Sequence, residues 1–506
     1  MYNHFSRIIT LSSIAAVAAV ALFTVCTENP SVSPQLSATG TPSTGWYDRN
    51  PSASEFILFN ADDLAGLAKL VNGEVDFRGN VINVNSLEGK TIKLALDVDL
   101  STYYGANYNG GKGWVPIGSE ATPFNGVFDG NGKVIRGLYI NDGTLGYVGL
   151  FGYGYDIRNV GVVDVDITGG YRIGGVVGQG GAANCYSTGT VRGTNDAGDV
   201  GGVVGSGGLG SFRGSANNCY STCTVSGVSR VGGVIGYGSA DNCYSTGTVS
   251  GSFFVGGVAG GGSVSGGYST GNVSGVSFIG GVAGGGSVVI SYSTGNVSGV
   301  SFVGGVLGNA ETNASVASNY STGNVSGDSL VGGVVGSGRA SNCYSTGVVS
   351  GEFSYVGGVV GNVTGGNVTN CYSTGAVSGA SLVGGIAGGI ASGTNYDGSN
   401  YRVANCAALN SNVKAASDVG RVFGDPSETS GSTGNVAYFG IMDITGSTSW
   451  PDKGLTRKDG LDLTVSDITS SGGTILGLFT QSAWTIQNGK LPGLGDKPVE
   501  MPEHIK

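Results

Sequence analysis

Eight cysteines, two histidines and 34 carboxylates are the side chains of this 506-residue chain best suited to chemistry, and their spacing decides what they could do. Seven of the cysteines lie between 185 and 406, a number that in an exported chain invites a disulfide framework. Six of them (Cys185, Cys219, Cys243, Cys343, Cys371 and Cys406) share one column of a repeat in which Gly267, Ser291 and Asn319 occupy the same place. A position that accepts Gly, Ser and Asn asks for a small side chain, so free, buried thiols are expected there. Cys219 and Cys223 form the only close pair, and apart from His4 near the start of the sequence His504 stands alone, which leaves no zinc-ligand spacing. The same shortage excludes histidine-based nucleophilic catalysis. Carboxylate catalysis needs clustered acids, yet from 173 to 420 the ionisable residues are scattered singles such as Asp241, Asp328, Arg339 and Glu352. Asp97, Asp99 and Asp129 could be read as catalytic or calcium-binding, but turn and strand-end chemistry explains them better. The expectation is a non-enzyme with no catalytic site, metal or cofactor.

The elements that carry these residues are set by a period. The Cys column steps by 34, 24, 24, 24, 28, 24, 28 and 35 residues; Tyr186 to Tyr372 follow its first eight members by one residue, and Val191 to Val377 by six. Self-similarity at this length means stacked units, none of which can bury its own apolar face alone. With 99 glycines a helical repeat is excluded, and glycine pairs every 24 residues are not the every-third pattern of collagen. The predicted fold is all-β: a parallel β-solenoid (β-helix) of about 24-residue turns, stacked at roughly 4.8 Å, with N- and C-terminal β caps. Alternation places Cys185, Ser187 and Val191 on one side of the strand and Tyr186 and Thr188 on the other; either side could be interior.

Two departures from the period are candidate binding features. Insertions all fall between the V-G-G phrase and the Cys column, giving a loop edge with Phe212, Arg213, Asn313, Asn367, Tyr396, Asp397, Tyr401 and Arg402. A merely tolerant corner is the alternative. The column before each V-G-G runs Arg172, Asp199, Arg230, then Phe254, Phe278, Phe302, Leu330, Tyr355 and Leu382, and ends at Asp418. Because unpaired charge is costly inside a solenoid, this column is expected to face water at least partly, leaving an apolar stripe able to receive sugar rings, a partner strand or a second copy. Stacking of its members on one another is the alternative.

Residues 1–25 carry Arg7 and an apolar run from Ile8 to Val25, short for a membrane span and of signal-peptide form, ending at Cys26. That arrangement suggests a lipoprotein acylated on Cys26, although Phe23-Thr24-Val25 departs from the usual residues there, so ordinary cleavage or an uncleaved anchor stay open. Residues 26–45, rich in Ser, Thr and Pro, read as a tether. Formal net charge of −10 opposes nucleic acid or an anionic membrane as partner.

Val231-Gly232-Gly233-Val234-Ile235-Gly236 followed by Asn242-Cys243-Tyr244-Ser245-Thr246-Gly247 resembles the GLUG repeat of bacterial surface proteins. The flanks, Trp114-Val115-Pro116-Ile117-Gly118 with Phe124-Asn125-Gly126-Val127-Phe128-Asp129-Gly130, and Trp484-Thr485-Ile486 with Gly489-Lys490-Leu491-Pro492, resemble what surrounds such arrays. The resemblance implies an exported, adhesin-like surface solenoid on the cell surface or outer membrane, secreted if Cys26 is not acylated. Its organisation would be signal 1–25, tether 26–45, lead-in cap 46–145, repeat array 146–425 and C-terminal cap and tail 426–506. Partners would be an extracellular glycan, a host or matrix protein or another copy, with membrane contact only through the anchor. A purely structural stalk and a β-helical polysaccharide enzyme are the alternatives. The zinc peptidases that carry this repeat need H-E-x-x-H, which this sequence lacks, so their activity does not carry over.

Overall fold

A computed structural model describes residues 37–75, 81–105, 108–194, 198–207, 214–395, 400–425, 432–469 and 472–506. The signal, Cys26, most of the expected tether, and Phe212, Arg213, Tyr396 and Asp397 of the loop edge lie outside the described residues. From residue 37 on, the chain forms a parallel β-solenoid of about 12 turns with a mean spacing of ~27 residues, the insertions lengthening the compact 24-residue rung.

One rung shows how the repeat folds. Ser277–Gly280, Ala283–Val289, Tyr292–Ser293 and Val297–Ser298 are its four strands. Each pairs in parallel with its equivalents above and below: Val255, Ile279 and Val303; Tyr268, Tyr292 and Tyr320; Val273, Val297 and Val325. The first strand of each rung belongs to an 11-stranded sheet, and the others to one of 37 strands. The orientation left open by alternation is settled: the Cys, Ser and Val columns fill the interior, with Cys243, Ser245 and Val249 fully buried, while Tyr244 is half exposed. The second glycine of V-G-G makes this interior possible, because a Cβ on Gly257 would come within 2.3 Å of Ser269 Oγ and 2.2 Å of the Gly281 carbonyl. All seven described cysteines are buried and free; Cys219 Sγ donates to the Ala182 carbonyl at 3.4 Å.

Two corners of every rung turn through left-handed backbone. The residues before Cys (Asn184, Asn218, Asn242, Asn342, Asn370 and Asn405) have φ of 51–53°, a conformation Asn tolerates better than most residues. Their amides bond rung to rung, as Asn218 Nδ2 does to Asn184 Oδ1 at 3.3 Å. The stripe column is the other corner: from Arg172 through Phe254 and Leu382 to Asp418 every member has φ between 49 and 62°. This accounts for the absence of β-branched residues there, which that conformation penalises most.

The array also runs into both caps. Glu55–Leu58 lies parallel on Thr91–Leu94, and Thr91–Leu94 on Phe124–Arg136. The helix Ala61–Asn72 interrupts this lead-in, capped by Asn60 accepting from Asp63 N, and buries Leu64, Leu67 and Val71 in the first rungs. Residues 37–45, expected as free tether, are instead fastened to that helix where described: Asp62 accepts from Gly40 N at 3.0 Å and Tyr103 OH at 2.7 Å, and Ser43 N donates to the Asp62 carbonyl. Asp62 gathers these donors through both its carboxylate and its backbone carbonyl. At the other end Val436–Tyr438 and Leu461–Leu463 continue the stack beyond residue 425, and Phe479, Trp484 and Leu494 cover Tyr344 and Tyr372.

Candidate binding groove

The apolar stripe stands half-buried, and its rings lie face to face. Phe254 and Phe278 are 4.5 Å apart at 11°, Phe278 and Phe302 4.7 Å apart at 29°. Stacking at this distance occupies the π faces that a sugar ring would use, leaving mainly ring edges outward. The charges at one end of the column are not solvated singles. Asp199 is buried, with Arg230 Nε at 2.8 Å and Arg172 Nε at 3.9 Å, so pairing between rungs holds this one charge out of water while the two arginines stay partly exposed. Arg172 also donates to Tyr147 OH at 2.7 Å, and the Arg230 guanidinium lies 5.0 Å from the Tyr237 ring. Phe254, Arg230 and Tyr237 border a small groove of about 370 Å³ with Glu311.

The tyrosine column behaves the same way. Tyr186 to Tyr372 stack at 4.7–5.1 Å within 5° of parallel. Its first ring lies over Gly161, where a Cβ would come within 2.2 Å, and its last meets Phe479 and Trp484 at 5.7 and 5.8 Å. Burial under the tail pushes the Tyr320 hydroxyl up to about 12, and Tyr344 and Tyr372 higher still.

The loop edge is different, because there the insertions leave space. Loops from successive rungs enclose a groove of about 600 Å³ lined by Thr312, Asn313, Arg339, Gly365, Asn367, Thr394, Asn395 and Tyr401. Three predicted edge residues, Asn313, Asn367 and Tyr401, are thus brought together. Asn367 ties the groove to the next loop: its Oδ1 accepts from Asn395 Nδ2 at 3.1 Å and from the backbone N of Arg402, the fourth described edge residue, at 3.1 Å. Tyr401 rests on Gly393, and Thr394 bridges Asn400 antiparallel.

Arg339 is the lining residue that sequence reasoning passed over as a scattered charge. It lies on Val335–Ser341, at the point where pairing with Val360–Thr369 shifts register between Gly338 and Ala340 to accommodate the inserted loop. In earlier rungs Ser215, Ser239, Ser263 and Ser287 pair at its position. An arginine in a serine column was the available signal. Arg339 Nη2 is buried with no hydrogen-bond acceptor, and its aliphatic stem runs over Gly366, where a Cβ would come within 2.7 Å.

Acidic residues considered for catalysis are occupied with turns. Asp97 accepts from Val134 N and Asp99 from Ser101 N. Burial would raise the Asp129 carboxyl, but hydrogen bonds from Asn159, Asn131 N and Arg158 outweigh it and hold it below the usual range. Among the described residues no three His, Cys, Asp or Glu side chains are placed to hold a metal, and no helix is long and apolar enough to cross a membrane.

Comparison with known proteins agrees with the repeat. Residues 354–378 match the family described as the GLUG motif, so the chain carries that motif. A stretch of 132 residues, 24% of the chain, is 36% identical to halomucin of Haloquadratum walsbyi. Another of 65 residues, 13% of the chain, is 45% identical to a candidate Gly-rich membrane protein of Evansella cellulosilytica. These matches span 1% and 7% of the two relatives' own lengths. A crystal structure of a candidate immunoglobulin A1 protease from Bacteroides ovatus aligns over 87% of this chain and 92% of that one, at 18% identity and a TM-score of 0.25, a likeness too slight to carry an argument.

Proposed function

We propose that this chain is an exported, non-enzymatic surface solenoid that binds an extracellular ligand at its loop-bearing edge, in the manner of an adhesin or a scaffold. The observation that supports this reading is the groove around Asn367, where residues picked out by insertion pattern converge on about 600 Å³ of open polar space. The self-stacked columns act as framework. The GLUG motif and the names of the two relatives, a halomucin and a membrane protein, fit a protein of the cell surface. Acylation of Cys26 would anchor it to the membrane, and without acylation the chain would be secreted.

Full-length protein applied to glycan and matrix-protein panels, beside an Asn367→Ala variant of equal stability, tests the reading. Binding that weakens in the variant supports it. Binding unchanged in the variant removes the groove as its site, and absence of any binding leaves the second reading, a stalk whose columns already satisfy one another. Palmitate labelling of the full chain compared with Cys26→Ala tests the anchor.

A further inference from the structure

We infer that the groove takes an acidic sugar, with the carboxylate of a uronate unit on Arg339. This rests on the proposal that the groove binds an extracellular ligand, and it names the ligand's chemistry.

Arg339 carries a charge that has no partner among the described residues. A guanidinium stays protonated at any physiological pH and presents its donors in a planar fork that matches a carboxylate. The arginines of the stripe corner, Arg172 and Arg230, both face Asp199. Arg339 makes no ion pair among the described residues, and its Nη2 is buried without an acceptor. The rest of the lining is neutral and of the kind that meets sugar hydroxyls: the hydroxyls of Thr312 and Thr394, the amide of Asn367 and the ring and hydroxyl of Tyr401. No carboxylate lines the groove among the described residues to compete for the arginine. One fixed cation amid neutral hydrogen-bonding groups fits a singly charged sugar better than a phosphate or a run of acidic peptide, each of which would ask for more positive charge. The volume lies within the range of small-molecule sites, enough for a short stretch of a chain passing over the edge.

Equilibrium binding of polygalacturonate, alginate and hyaluronate to the full chain, each beside its methyl ester, tests the inference. Esterification removes the charge and keeps the polymer, so that arm needs no protein variant. The expected result is binding of at least one acid form, weakened about tenfold or more by esterification and by Arg339→Gln, with partial retention in Arg339→Lys and an unchanged melting temperature in both variants. Acid and ester binding equally, or Arg339→Gln binding the acid as the parent does, overturns it. If no uronate binds but a neutral glycan or matrix protein does so in an Asn367-dependent way, the groove stands and the carboxylate inference falls. If nothing binds, both fall.

Discussion

Arg339 and Arg421 each stand where other rungs carry a small residue. Arg339 occupies a serine column at the loop edge. Arg421 occupies the position of the second glycine of V-G-G near the C-terminal closure, as the phrase Val419-Gly420-Arg421-Val422 shows. Arg421 is fully buried, and the closure was built around it: Nε donates to the Asp459 carbonyl at 2.8 Å, Nη2 to the Gly460 carbonyl at 3.2 Å, and Nη1 stands 2.8 Å from Asp462 Oδ1, though off a good hydrogen-bond line. Arg339 has open space before it instead. The two residues break the same repeat with the same chemistry, so the difference lies in what the neighbouring chain supplies. Where neighbours bring acceptors, the departure is part of the framework; where they bring a groove, it is available to something else.

The largest effect that would sharpen this contrast is on stability. Arg421→Ala leaves buried acceptors and Asp462 unanswered and should lower the unfolding free energy by about 3–5 kcal/mol, read from urea denaturation. A loss under about 1 kcal/mol would mean that the enclosed arginine is no more structural than the open one. Next comes Phe278→Ala, which empties a half-buried place between two stacked rings and should cost about 2 kcal/mol while leaving ligand binding at the groove intact. Binding lost at unchanged stability would move the site to the stripe. Ser269→Ala removes a fully buried hydroxyl that has no partner and should raise stability by about 1 kcal/mol; a drop of that size would show that the interior serines are bonded. The smallest shift belongs to Arg339→Gln, within about 0.5 kcal/mol of the parent. A larger destabilisation would put Arg339 in the same class as Arg421 and end the comparison.

Much of the framework was legible in the sequence because a parallel stack repeats its own residues in register. Tyr244 on Tyr268 and Val249 on Val273 follow directly from a 24-residue step. The corner that would carry loops was legible for the same reason, since insertions count against a fixed period. Which face was interior was not, because alternation is symmetric between Cys-Ser-Val and Tyr-Thr until the glycines opposite Ser269 are seen to leave room only for a small side chain. The pairing of Arg172 and Arg230 with Asp199 was within reach as well, since the three are consecutive members of one column, but the charges had been read as separate signs of exposure. Arg339 was visible but unread, because its meaning depends on a register shift and on three separate loops.

Consecutive compact rungs are nearly interchangeable: residues 253–276 and 277–300 present the same strands to their neighbours. Copying or excising one such segment in the gene would change the number of storeys without disturbing any pairing, and would shift the groove relative to the first rung by about 4.8 Å each time. Height is therefore a quantity that recombination can adjust in fixed steps, while the chemistry at the edge stays as it is.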